Sequence, residues 1–172
     1  LEALYHYAMT AKGLGLNSEF RQYMLSVVNE SKEITWKQKA TQALVQHINV
    51  LETSDIALID PLVKKFELDT TRNDDYNFMR AKYFADKGQL TEMEESLIMI
   101  GEKSSRYKES LLLQAVSKYR QGKVDDAIPY LQILMTATEN QKGSELRSVG
   151  ALTLARIQFQ KSQYKEAFQS YL

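Results

Sequence analysis

The chain contains no cysteine, which removes disulfides, thiol nucleophiles and cysteine metal sites together and leaves the compartment open. Proline occurs twice and glycine seven times in 172 residues, below the roughly 9 and 12 that average usage gives, so a turn-rich all-β sandwich is disfavoured. No apolar run approaches the roughly 18 residues of a spanning helix, and no basic-then-apolar signal segment opens the chain. Neither charge is in excess: 22 Lys and Arg stand against 22 Asp and Glu, interleaved instead of clustered. Neither a net field nor a counterion-releasing stripe is therefore available to attract nucleic acid or an anionic membrane. What is present is a 44% hydrophobic and 26% charged composition, enough apolar material for a folded core. The length suits one domain or a stack of about five units near 34 residues each.

The second division is supported by internal self-similarity. Ala81 to Ala115, Gly88 to Gly122 and Leu90 to Val124 are each separated by 34 residues. Small or apolar residues twelve apart flank polar turns at Lys87-Gly88-Gln89 (Ala81, Met93), Gln121-Gly122-Lys123 (Ala115, Ala127) and Lys161 to Gln163 (Ala155, Ala167). Extending backward places His47, Ser54, Ile56, Ile59 and Val63 in a second unit, with Ser54-Asp55 as turn and helix cap, and Ala11, Ser18, Phe20, Tyr23 and Val27 in a first. The step from Ala115 to Ala155 is 40, with the extra residues assigned to Thr138–Ser144. Pairs four apart, which share a helix face, form a seam on each second helix: Tyr23 and Val27, Ile59 and Val63, Met93 and Leu97, Ala127 and Leu131, Ala167 and Tyr171. Pro61 and Pro129 lie two periods apart and are expected to bend their helices unless those helices start late.

These residues resemble the tetratricopeptide repeat family, a 34-residue helix-turn-helix unit with Leu then a small residue early, Gly and an aromatic at the turn, and Ala then an aromatic four later. The last unit matches best, through Leu154-Ala155, Tyr164, Ala167 and Tyr171. The departures are the absent terminal Pro, the absent early Trp, and His47 and Met93 at small positions. The resemblance covers the whole chain and implies an all-α, right-handed superhelical α-solenoid of about five repeats, read as one domain over 1–172 with units at 4–35, 36–73, 74–107, 108–146 and 147–172. Because Phe168, Tyr171 and Leu172 end the chain in mid-seam, it is expected to be a fragment of a longer protein and to self-associate through its last repeat.

The resemblance implies further that the first helices line a concave groove holding a protein or peptide, without chemistry. Carried over position by position, the groove in units three to five presents Asp75, Phe78, Lys82, Ala85 and Asp86, then Glu109, Leu112, Val116, Tyr119 and Arg120, then Val149, Leu152, Arg156, Phe159 and Gln160. Phe78, Leu112 and Leu152 stand where a carboxylate-clamping groove would place Lys or Asn. An apolar or amphipathic segment fits better, with Phe78, Lys82, Leu112, Tyr119, Arg120, Arg156 and Phe159 as the binding residues. The alternative that these aromatics pack between helices stays open. So does a peptide-sensing regulatory module coupled to an effector domain.

Chemistry has little support. His6 and His47 have no short ligand spacing, and His47, between apolar neighbours, is expected to be a packed, hydrogen-bonded core residue. No phosphate-cradling or nucleophile-elbow motif occurs, and the neighbouring carboxylates Asp74-Asp75, Glu94-Glu95 and Asp125-Asp126 diverge by about 100° on a helix. A carboxylate pair such as Asp75 and Glu109 across the groove is the remaining enzymatic reading. No catalytic residue, metal or cofactor is assigned. Trp36 is expected to pack between units one and two, and Asn29-Glu30-Ser31 has the form of a glycosylation acceptor. Degenerate repeats, absent cysteine and many Tyr, Lys and Gln residues lean towards a bacterial periplasm or cell envelope, with the cytoplasm open.

Overall fold

A computed structural model describes residues 1–140 and 144–171. Part of the expected insertion at Thr138–Ser144, the side chain of Tyr171, and Leu172 lie outside the described residues. Among the described residues the secondary structure is helical throughout: α1 (Glu2–Gly13), α2 (Asn17–Glu30), α3 (Ile34–Gln46), α4 (Ile56–Lys65), α5 (Asp74–Asp86), α6 (Leu90–Ile98), α7 (Tyr107–Arg120), α8 (Val124–Ala137), α9 (Glu145–Gln160) and α10 (Tyr164–Tyr171). Two short 3₁₀ turns, Ile48–Val50 and Thr53–Asp55, link α3 to α4. The chain divides into two compact units, Leu1–Gln89 and Leu90–Leu172, so the boundary falls at the end of the turn after α5 and not between expected repeats.

One local device ends α1, α5, α7 and α9. Gly15, Gly88, Gly122 and Ser162 take φ of +77°, +70°, +75° and +60°, the left-handed conformation that lets the chain reverse within three residues. The amide of each following residue then donates to a carbonyl five residues back: Leu16 to Ala11, Gln89 to Phe84, Lys123 to Lys118 and Gln163 to Gln158, at 2.8–2.9 Å. Seven residues before each left-handed position lies a fully buried alanine, Ala8, Ala81, Ala115 or Ala155. Five residues after it lies another buried side chain, Phe20, Met93, Ala127 or Ala167.

This register corrects the first unit. Its markers are Ala8, Gly15, Phe20 and Met24, three residues earlier than the Ala11, Ser18, Tyr23 and Val27 expected from sequence. Three residues turn a helix by about 300°, so the two registers put similar faces inward, and Ala11 and Val27 are buried as well. Tyr23 is only half-buried, whereas Phe20 and Met24 are fully enclosed.

The second hairpin departs further. His47 ends α3 instead of lying within it, and the 47–55 link breaks the 34-residue register before α4 restores it with buried Ile59 and Val63. The expected hydrogen-bonded core histidine is instead half-buried, its ring edge-on to Phe20 at 5.4 Å and without a side-chain hydrogen bond among the described residues. Burial, and then the nearby Lys12 ammonium, hold it below the ordinary histidine range. Asp55 makes no side-chain cap to α4. Its carboxylate accepts from the Glu52 amide at 2.9 Å and from Arg21 Nε and Nη2 on α2 at 2.7 and 2.9 Å, clamping the link to α2. Pro61 and Pro129 each occupy the sixth residue of their helix. One turn in, each loses only the bond to the carbonyl of Ala57 or Asp125, and both helices continue beyond it.

In unit 1 the core joins Ala8, Phe20, Met24, Leu44, Ile56, Ile59 and Tyr76 from all five helices. Trp36 packs at its edge, 5.3 Å from the Tyr5 ring, with Lys39 Nζ 4.3 Å over its face. Buried within α4 is one carboxylate, Asp60, 5% exposed. It accepts from Tyr76 Oη at 2.9 Å and Arg80 Nε at 2.6 Å on α5, and lies 3.1 Å from Lys64 Nζ. Asn73 adds a second tie: its side chain caps α5 by accepting from the Tyr76 amide and donates to the Val45 carbonyl at 2.9 Å. Unit 2 builds its core from Ala115, Ala127, Leu131, Leu154 and Ile157.

Burial pushes the Asp60 carboxyl up, but Lys64, Arg80 and Tyr76 outweigh it and hold the group below the ordinary carboxylate range. The unfolded chain, with an Asp near about 3.9, therefore binds this proton first as pH falls. The stabilisation is full above that value and is lost on acidification through the folded value. Asp60→Asn is expected to flatten the acid limb of the stability profile in urea titrations between about pH 5 and 2. Asp60→Ala, which removes the acceptor of the buried Tyr76 hydroxyl and breaks the pairing with Arg80, is expected to cost about 3 kcal/mol. At the hairpin closures, Gly122→Ala should lower stability by about 1 kcal/mol and Ser162→Gly should raise it by up to about 1 kcal/mol in thermal melts.

Candidate functional site

In unit 2, α8 packs against both α7 and α9, and α7 also touches α9 directly. The left-handed residues Gly122 and Ser162 fix a common register, so that Leu112 matches Leu152, Val116 matches Arg156 and Tyr119 matches Phe159. Ala115 and Ala155 face inward. On the other side, α9 carries Val149, Leu152, Arg156 and Phe159 at successive spacings of three, four and three, a single row along the helix. Val149 and Leu152 are each 42% exposed and Phe159 60%, while Tyr119 of α7 is 42% exposed. Leu112 is half-buried, and Arg120 and Arg156 are exposed. Helix α9 is thus apolar on its buried face (Gly150, Leu154, Ala155, Ile157) and also carries Val149, Leu152 and Phe159 on a solvent face shared with Glu145, Ser148, Arg156 and Gln160. An apolar helix surface ordinarily lies against another element.

The aromatic surface continues past the end of α9. The Tyr164 ring meets Phe159 edge-on at 5.3 Å, and Tyr164 and Phe168 are 60% and 65% exposed. The inward face of α9 is held close to α8: a Cβ built on Gly150 would lie 2.9 Å from Leu134 Cδ2, and Arg147 Nη1 donates to the Met135 carbonyl at 2.7 Å.

Several charges around this face are already satisfied. Glu94 of α6 accepts from Lys118 Nζ at 2.8 Å, from Ser117 Oγ at 2.7 Å and from the Gln121 amide. Burial raises the Glu94 carboxyl, and these donors outweigh it to leave it below the ordinary range. Lys161 pairs with Asp125, and Glu109 with Arg106 at 3.5 Å. Arg120 and Arg156 make no ion pair among the described residues. Near the start of α7 an open hollow of about 510 Å³ is lined by Glu102, Lys103, Ser104, Ser105, Tyr107, Lys108, Glu109 and Leu146.

Of the residues expected to bind, Leu112, Tyr119, Arg120, Arg156 and Phe159 share unit 2. Phe78 and Lys82 belong to α5 of unit 1. Lys82 is exposed, but Phe78 is 7% exposed, its ring enclosed by packing, so it offers no binding surface and is removed from the set. Asp75 and Glu109 are both exposed, the first in unit 1 and the second in unit 2. No group of three His, Asp or Glu residues is placed to hold a metal ion among the described residues, and no described helix is long and apolar enough to cross a membrane. Ser31 of the glycosylation-like triplet is buried, its hydroxyl donating to the Glu33 carbonyl. Sequence reasoning missed the extension of the aromatic surface by Tyr164 and Phe168, although Tyr164 follows the turn as the repeat pattern asks. No family model matches the chain, and neither do any curated protein or solved structure.

The support beneath the exposed row is open to test at Gly150. Gly150→Val forces its side chain onto the fully buried Leu134 and is expected to lower stability by about 1–3 kcal/mol in chemical denaturation.

Proposed function

We propose that the chain is a protein-binding scaffold, a right-handed superhelical α-solenoid of tetratricopeptide-like hairpins. In this reading the neighbouring first helices α7 and α9 grip an apolar or amphipathic segment of another protein. The observation that supports it is the exposure of three large apolar side chains on one face of α9, Val149, Leu152 and Phe159, together with exposed Tyr119 of α7. Aromatic and Arg side chains are the residue types that dominate binding energies at interfaces, and Tyr119, Phe159, Arg120 and Arg156 gather at the C-terminal ends of the two helices. The scaffold works by presenting surface and needs no catalytic group or cofactor. Repeat stacks suit this role because each hairpin buries its core against its neighbours and leaves one helix face free.

The test compares partners captured by the wild-type chain and by Tyr119→Ala/Phe159→Ala. Both rings are largely exposed, so the double variant is expected to keep its circular dichroism spectrum and lose its partners. A folded variant that retains every partner would move the binding surface elsewhere, and a variant that unfolds would reassign both rings to packing.

A further inference from the structure

Resting on that reading, the geometry points to the chemistry of the occupant: an amphipathic helix of another protein, apolar along one row and acidic at the end that meets Arg120 and Arg156. The apolar row from Val149 to Phe159 spans ten residues of α9, about 15 Å. A partner helix lying along it presents anchors at i, i+3, i+7 and i+10 over the same length, the three-four-three spacing of Val149, Leu152, Arg156 and Phe159. The N-terminal end of the face is mixed in charge, with Lys103, Lys108 and Arg147 beside the acids, whereas the C-terminal end carries two guanidiniums free of ion pairs among the described residues. At its N-terminal end stand Glu109, paired to Arg106, and Glu145 in the first turn of α9. At its C-terminal end stand Arg120 and Arg156, while neighbouring Lys118 and Lys161 are tied to Glu94 and Asp125.

Two guanidiniums without ion partners, close in sequence to the exposed rings of Tyr119 and Phe159, suit the carboxylates of a protein partner. Guanidinium is weakly hydrated, binds carboxylate through two parallel bonds and stacks on aromatic faces. The carbonyl ends of α7 and α9 oppose the guanidiniums with a partial negative charge, which weakens the attraction without reversing it. Carboxylates in the partner's first turn would also complement that helix's own N-terminus, so the partner runs antiparallel to α9.

The experiment uses two fluorescent peptides of about 16 residues with identical Leu rows, one carrying three Glu in its N-terminal half and the other three Lys at the same positions. Fluorescence anisotropy at low salt is expected to show the Glu peptide binding at least about tenfold more tightly than the Lys peptide. Arg120→Glu/Arg156→Glu is expected to reverse that order, Arg120→Ala/Arg156→Ala to abolish the preference, and Phe159→Ala to weaken both peptides. Equal binding of the two peptides, or an order unchanged by charge reversal, overturns the acidic partner while leaving the apolar face intact. Failure of both peptides to bind overturns the partner and the scaffold face together.

Discussion

The left-handed residue that closes α1, α5, α7 and α9 is the constraint from which the hairpin geometry follows. It reverses the chain in three residues, and so fixes which side chains of the two helices oppose one another. An alanine seven residues before it and a side chain five residues after it are buried in each case. A close helix approach is seen at Gly150, where α9 meets α8. Everything on the solvent side, including the row on α9, inherits its position from that closure. Ser162 meets the same demand without glycine, at φ +60°, in a conformation that costs a residue with a Cβ more than it costs glycine.

The hairpins at α5 to α10 were legible because Gly88 and Gly122 mark the closure directly and the alanines repeat around them. At α1 the same pattern is ambiguous: Ala8 and Ala11 are both small and both buried, and Gly13 competes with Gly15 as the marker. The link between α3 and α4 was not legible at all, since its 3₁₀ turns are held by Arg21 reaching across from α2 to Asp55. A pairing of that kind depends on tertiary placement and leaves no periodic trace. Asp60 shows the same limit: its sequence neighbours Ile59 and Pro61 suggest an apolar helix, and only the arrival of Tyr76 and Arg80 explains a carboxylate in the interior.

The candidate face was legible in part. Matching Tyr119 with Phe159 and Leu112 with Leu152 needed only the interval between the two closures, and the exposure of both rings agrees with that alignment. Phe78 occupies the equivalent column in α5 and is enclosed instead. A column position tells which way a side chain leaves its helix, but burial depends on what the neighbouring elements cover. The buried Asp60 cluster and the open α9 row thus represent opposite treatments of misfit residues. One is a charge satisfied inside by several donors, and the other is apolar surface left outside.

The short closures also bear on how quickly the molecule can assemble. Within each unit the principal packing partners are helices adjacent or next but one along the chain, and the side-chain bonds described above reach no further than the 36 residues between Asp125 and Lys161. Loop-closure entropy is therefore small for every contact that matters, and topologies so rich in local contacts typically fold on the order of microseconds to milliseconds. A nascent chain can complete each hairpin as it is synthesised, without waiting for a distant segment to arrive.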